Sequence, residues 1–333
     1  MCGIVGYIGD GNAAKIGLSG LKRLEYRGYD SAGIAMATQG KIDVRKGAGR
    51  IDRIDSKLGI SFMDGHLAIL HTRWSTHGEP TKANAHPHTD CKGNIAIVHN
   101  GIIENYSSLK HLLIKEGHEI RSKTDSEIIA HMIEKFYDGD LESAVMKALN
   151  SVEGAYGLAV IHKDEDKIIA AKKGSPLVIG VGENEMMVAS DVAAVMERTK
   201  KVIYLDDNEI AVVTKDDVRI KNMRNEEVNK EIKEIKWDLE QIEKKGFKHF
   251  MLKEIFEQPE SLDNTLRGRL KDEIKLSIDI DIKKIGRVII TACGTSWHAG
   301  LVGRWLIEKL AGIPVEVDYA SEFRYRHPII GKR

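Results

Sequence analysis

The chain has 333 residues, with 50 basic side chains, 50 acidic ones and a formal net charge of zero. That length suits two domains rather than one, and the balanced charge gives no general attraction to nucleic acid or an anionic membrane, leaving a small-molecule enzyme or a protein-binding module. Three widely spaced cysteines, Cys2, Cys91 and Cys293, argue against a disulfide framework and for a reducing, cytoplasmic setting, and neither a signal-peptide pattern nor a run of about 18 apolar residues occurs.

Short segments rich in Val and Ile predict strands at Cys2–Ile8, Ser31–Ala37, Leu67–Thr72, Ile95–Asn100, Ala155–Ile161, Leu177–Val181 and Ile210–Val213. Helical spacing predicts helices at Ala13–Leu24, Tyr106–Lys115, Ser126–Phe136 and Leu141–Leu149, with Asp125, Ser126 and Glu127 as a start signal for the third. Strands apolar on both faces need cover on both, so residues 2–215 are expected to form a four-layer α/β/β/α sandwich. Residues 216–248, crowded with Lys, Glu and Asn, read as a charged linker. Residues 249–333 then change pattern: a helix at His249–Ile255, a buried strand at Val288–Ala292, a tight turn at Cys293–Ser296, a helix at Trp297–Leu310 and a strand at Val315–Val317. That βαβ order predicts the start of a doubly wound parallel α/β domain that binds ligands at the carboxyl edge of its strands. One such unit cannot close a sheet, so this domain is expected to be incomplete at Arg333.

Cys2, directly behind Met1, is the leading candidate nucleophile. Removal of Met1 would put a thiol and a free α-amine on one carbon, and an α-amine titrating at about 7.7–8.0 can take the thiol proton. Arg73, at a strand end before a loop holding Gly78 and Pro80, suits a substrate carboxylate, or else a surface ion pair. Asn100 beside Gly101 offers a side-chain amide and a backbone N–H to an oxyanion, although Asn-Gly is also a common turn. Asp125 precedes a helix, where it either pairs with a ligand ammonium or caps the helix. Arg27 and Asp30 lie in a polar loop suited to the pocket floor. His71, His77, His86, His88, Cys91 and His99 are dense enough to raise a metal site, but paired CxxC or HxxxH elements are absent, so neither metal nor cofactor is expected.

Taken in order, Cys2–Gly6, Arg73 in His71-Thr72-Arg73-Trp74, His99-Asn100-Gly101, and Thr124-Asp125 with Glu127 resemble the class II glutamine amidotransferases, which are N-terminal-nucleophile enzymes. Tyr26–Gly33, His71–Pro80, Asn84–His88, Asn100–Asn105, Ala292–Ser296 and Ala320–Arg326 are similar to the glutamine:fructose-6-phosphate aminotransferase family, and the likeness runs over the whole chain. The resemblance implies that Cys2 attacks the glutamine amide and its own α-amine moves the proton. It assigns the oxyanion to Asn100 and the Gly101 N–H, the α-carboxylate to Arg73 and the α-ammonium to Asp125. Thr76 and His77 line a glutamine lid, Trp74 gates the ammonia path, and Arg27, Asp30 and His86 support the pocket. Gly294, Thr295 and Ser296 form part of a sugar-phosphate site. The ammonia would convert fructose 6-phosphate to glucosamine 6-phosphate, in an enzyme that dimerises through its isomerase domain. The remaining isomerase groups would lie beyond Arg333, so only the glutaminase half-reaction is expected from this chain. Rival readings are a class II amidotransferase with another ammonia acceptor and a non-catalytic sugar-phosphate sensor.

Overall fold

Along β1 (Gly3–Gly9), Ile4 and Ile8 face one apolar layer while Val5 and Tyr7 face another, and all four are fully buried. Such a strand needs cover on both sides. The computed structural model describes residues 2–75, 78–236, 247–266, 284–326 and 328–330, which divide into two compact units between Phe250 and Met251. In the first unit β1 is followed by β2 (Ser31–Thr38), β3 (Lys41–Ala48), β4 (Leu67–Arg73), β5 (His88–Thr89), β6 (Ile95–Ile103) and β7 (Gly154–His162). Then come β8 (Glu165–Lys173), β9 (Val178–Val181), β10 (Glu185–Ala189), β11 (Lys201–Tyr204), β12 (Glu209–Val213), β13 (Val218–Asn222) and β14 (Lys233–Glu234). The helices are α1 (Ala13–Arg23), α2 (Ile51–Leu58), α3 (Tyr106–Lys115), α4 (Ser126–Phe136) and α5 (Leu141–Leu149).

Among the described residues, an eight-stranded sheet runs β14-β11-β9-β10-β1-β4-β2-β3 and a six-stranded sheet runs β13-β12-β8-β7-β6-β5. Neighbours in both are antiparallel. Ile4, Ile8 and Ile69 of the first sheet meet Val98, Ala159 and Ile168 of the second in a shared apolar layer. Leu18 and Leu21 of α1 and Ile54 of α2 cover the first sheet's outer face over Val5 and Leu70. Leu113 of α3, Ile129 of α4 and Val145 of α5 cover the second sheet over Ile97 and Leu158. The two-faced strands thus produce the expected four-layer sandwich.

The stretch expected to be a charged linker begins differently. Val218–Asn222 pairs with β12 and Lys233–Glu234 with β11, so its polar residues down to position 236 include two sheet-edge strands, where charged side chains reach water. Trp237 and the rest to residue 246 lie outside the described residues.

The second unit contains most of α6 (Phe250–Leu266), then β15 (Val288–Ala292), α7 (Gly294–Ala311), β16 (Val315–Tyr319) and α8 (Ala320–Tyr325). β15 and β16 pair in parallel with Val288 opposite Val315 and Ala292 opposite Tyr319, as the βαβ pattern predicts. α7 starts three residues earlier than expected, with Cys293 as its N-cap, so Gly294, Thr295 and Ser296 form its first turn instead of a preceding one. No helix among the described residues is long and apolar enough to cross a membrane.

Ile69 is fully buried in the layer between the sheets, whereas Phe62 is 89% exposed. Ile69→Ala is expected to reduce stability by about 2–5 kcal/mol, read as a lower urea midpoint with an unchanged slope. Phe62→Ala should change it by less than about 0.5 kcal/mol. Equal midpoints for the two variants would contradict a close-packed central layer.

Candidate active site

The pairing of Gly3 with Thr72 sets Cys2 level with the end of β4. There the Trp74 N–H donates to Cys2 Sγ at 3.3 Å, and the thiol is 3.6 Å from the Trp74 carbonyl oxygen that accepts from it. Burial pushes the Cys2 thiol above its ordinary pKa, while the Trp74 N–H and the Arg73 charge act in the opposite direction. From the facing sheet, β6 brings Asn100, whose Nδ2 donates to the Cys2 carbonyl oxygen at 3.1 Å. His71 Nε2 lies 3.0 Å from Asn100 Oδ1. The tautomer with hydrogen on Nε2 donates there, which turns the amide N–H groups toward Cys2.

Two glycines permit these approaches. A Cβ on Gly28 would stand 2.7 Å from the Trp74 nitrogen. Gly101 has φ +144°, and a Cβ on it would lie 1.9 Å from the Ala155 carbonyl oxygen. Neither position has room for a side chain.

Cys2, Trp74, Asn100 and Gly101 line a cavity of about 270 Å³, together with Arg27 and Ser190. Arg27 is held by the Ser190 carbonyl oxygen and by Asp191 Oδ2, each 3.2 Å from its Nη1. Ser190 and Asp191 have no local sequence signal for this role, because they lie more than 160 residues away in a different strand turn. Arg73 is buried and donates from Nη2 to the Gly78 carbonyl oxygen at 3.4 Å. Burial lowers its pKa, against the nearby charges of Cys2, Asp125 and Asp30. Asp125 occupies the N-cap position of α4 without making a side-chain cap bond, and its Oδ2 instead accepts from the Ile103 N–H at 2.8 Å. Asp30 braces the loop after β4, its Oδ2 accepting from the Ser75 N–H at 2.8 Å. Trp74 is 44% exposed, and its ring sits edge-on to Tyr29, with ring centres 5.5 Å apart. Thr76 and His77 lie outside the described residues. Gly294, Thr295 and Ser296 belong to the second unit, at the N-terminus of α7.

The dense histidines separate into two groups. His71, His86, His88 and His99 are buried, with the His86 ring 4.1 Å from His71 and 4.6 Å from His88. His88 Nε2 is 3.0 Å from Thr124 Oγ1, and His99 Nδ1 is 2.8 Å from Ser126 Oγ. Burial holds all four below the ordinary histidine pKa, His71 down to about 3, so they are neutral near pH 7. Cys91 stands instead 3.4 Å from His131 Nδ1. The orienting role of His71 was missed from sequence, where it read only as one histidine among several.

Residues 71–197 match the glutamine amidotransferase domain family, and residues 281–332 match the SIS domain family. A protein of Caldanaerobacter subterraneus subsp. tengcongensis named glutamine–fructose-6-phosphate aminotransferase (isomerizing) is 49% identical over 100% of this chain and 56% of its own length. Proteins of the same name from Aquifex aeolicus and Thermococcus kodakarensis are 53% and 51% identical, each over 98% of the chain. Over 98–100% of its length the chain is similar to proteins named glutamine–fructose-6-phosphate aminotransferase. It spans little more than half the length of these relatives, 54–56%. Among solved structures, an allosteric regulatory enzyme of purine biosynthesis matches with 27% identity and TM-score 0.59, over 67% of this chain and 49% of its own. Glutamine phosphoribosylpyrophosphate amidotransferase from B. subtilis matches with 22% identity and TM-score 0.61, over 95% of this chain and 65% of its own, a likeness of fold. The chain therefore shares its fold with proteins of other names.

The neutral histidines give a pH signature. In the unfolded chain a histidine takes its proton near pH 6.5, whereas folded His71 resists until about pH 3. The unfolded state thus binds more protons in this window, so stability rises with pH from about 3 to 6.5 and is lost as pH falls. His71→Gln removes one such group and is expected to flatten the stability–pH profile there. A profile as steep as that of the wild type would refute a buried, neutral His71.

Proposed function

We propose that the first unit hydrolyses glutamine to glutamate and ammonia with Cys2 as nucleophile, and that the whole enzyme delivers this ammonia to fructose 6-phosphate, forming glucosamine 6-phosphate. The observation that carries this reading is the Cys2 thiol on the cavity, hydrogen-bonded to Trp74 and sharing its lining with Asn100 and Gly101. The names of the relatives support the acceptor.

Once Met1 is removed, the Cys2 α-amine, titrating near about 7.7–8.0, takes the thiol proton. The thiolate adds to the amide carbon of glutamine. Negative charge then develops on the former carbonyl oxygen, for which the second N–H of Asn100 and the Gly101 N–H are the donors. The α-ammonium returns its proton to the amide nitrogen, the C–N bond breaks, and ammonia leaves a γ-glutamyl thioester. Water adds to the thioester carbon, losing a proton to the amine, and the C–S bond breaks as the ammonium returns that proton to the sulfur, releasing glutamate and the thiol. Arg73 takes the substrate α-carboxylate and Asp125 its α-ammonium, so each substrate charge meets its opposite.

Arg27, Asp30 and His86 support this pocket, Thr76 and His77 serve its lid, and Trp74 gates the exit of ammonia. In the second unit, the N–H groups of the first turn of α7 and the hydroxyls of Thr295 and Ser296 suit a sugar phosphate. Dimerisation through the second unit and a cytoplasmic location go with this reading, the latter supported by three free cysteines.

Glutamate release from glutamine by the purified chain tests the proposal. Cys2→Ala is expected to abolish it, Asn100→Ala to lower kcat by about 10²–10³-fold, and Arg73→Lys to act mainly through KM. Intact mass should lack Met1, and an electrophilic glutamine analogue should label Cys2 alone. Activity retained in Cys2→Ala, or labelling at another residue, would overturn the assignment.

A further inference from the structure

Three segments of the first unit meet away from the cavity. Cys91 lies in the turn between β5 and β6, His118 follows α3, and His131 and Glu134 are one helical turn apart on α4. They bring one sulfur, two imidazole nitrogens and one carboxylate oxygen within 4.8 Å of one another. Cys91 Sγ is 3.4 Å from His131 Nδ1 and 3.7 Å from His118 Nδ1. Glu134 Oε2 is 3.1 Å from His118 Nδ1 and 3.6 Å from His131 Nδ1.

A tetrahedral ion with bonds of about 2.0–2.1 Å to nitrogen, 2.0–2.2 Å to oxygen and 2.3 Å to sulfur has ligand–ligand edges of about 3.3–3.6 Å. The four distances straddle that range. Protons alone serve the cluster less well. Each Nδ1 holds either one hydrogen or one lone pair, yet each has two short edges, to the sulfur and to the carboxylate. A cation at the centre satisfies every edge at once.

We propose that Cys91, His118, His131 and Glu134 bind one zinc ion. A thiolate with two imidazoles selects a borderline-soft metal over calcium or magnesium, and four protein donors close the coordination sphere, as in a structural site. The surroundings are built to match. Buried His131 points its Nε2 toward Glu127 Oε1, 3.7 Å away, and the Glu127 carboxylate is itself held by the backbone N–H groups of Arg121 at 2.9 Å and Ser122 at 2.5 Å. Nε2 has no hydrogen-bond partner at this distance, but the carboxylate charge favours hydrogen on Nε2 and so leaves the Nδ1 lone pair for a metal. The Cys91 N–H donates to Glu134 Oε2 at 3.1 Å, which orients that carboxylate. The ion ties the β5–β6 turn to α4, whose N-cap and first residue brace the active site: Asp125 holds the Ile103 N–H and Ser126 holds His99.

The spacing conceals this site from a motif search, since its ligands come from three segments and only His131 and Glu134 form a local pair. The test uses the untagged full chain, loaded with Zn(II), freed of excess metal and assayed by elemental mass spectrometry. Wild type is expected to retain about one zinc per chain, and Cys91→Ser and His118→Asn to retain little. Co(II) in place of zinc should give a thiolate-to-cobalt charge-transfer band in the wild type that Cys91→Ser lacks. If Cys91→Ser fails to fold, the wild-type cobalt spectrum and the His118→Asn stoichiometry decide the matter. A wild type that retains no zinc, a cobalt complex without a thiolate band, or equal zinc in the wild type and the folded variants would each overturn the proposal.

Discussion

The antiparallel ladder between β1 and β4, from Gly3 opposite Thr72 to Ile8 opposite Leu67, determines where Cys2 stands. A residue so near a chain terminus ordinarily has little to define its position. Here β1 is flanked by β10 and β4 and buried on both faces, so the terminus is anchored as firmly as any interior strand. Because side chains alternate along a strand, a slip of one residue would exchange the two faces of β1, sending Val5 and Tyr7 into the layer that Ile4 and Ile8 fill. Two apolar layers thus oppose a change that would displace one thiol. The rest of the site refers to this register: the loop after β4 supplies both hydrogen bonds to the sulfur, and Asn100 of β6 donates to the Cys2 carbonyl oxygen from the facing sheet.

The same burial shapes the electrostatics. Four histidines lie behind the site without adding charge, because removal from water favours their neutral forms. Arg73 instead meets the charges of Cys2, Asp125 and Asp30. Neutral imidazoles still work as directional groups: His71 orients Asn100, and His99 meets the first residue of α4. A layer of dipoles can hold geometry without competing for a charged substrate.

Much of this was legible in the residues. Strands apolar on both faces dictate two stacked sheets with helices outside, and a parallel pair joined by a helix dictates the start of the second unit. Cys2, Arg73, the Asn100-Gly101 pair and Asp125 stand far apart in sequence, yet Cys2 directly precedes β1, Arg73 ends β4, Asn100 and Gly101 lie in the second half of β6 and Asp125 takes the N-cap position of α4. Other elements were not predicted, including the buried strands β8 and β10 and the helix α2. β3 is nowhere fully buried and β13 only at Ile220, so neither carries a continuous apolar run, and both are edge or near-edge strands stabilised by pairing. Side chains that act through a neighbour, such as His71 and Asp191, depend on contacts made only when the sheets assemble. The same holds for Cys91 and His118, whose grouping no short motif records.

Trp74 separates two kinds of constraint within one residue. Its main chain holds the thiol, through an N–H and a carbonyl that every amino acid except proline supplies in full. Its ring meanwhile leans on Tyr29 and faces solvent. Changing this side chain would therefore alter the cover of the cavity while leaving the main-chain grip on the thiol the same. Gly28, pressed against that same backbone, has no comparable latitude. What passes over the sulfur depends on a side chain, whereas where the sulfur sits depends on the main chain.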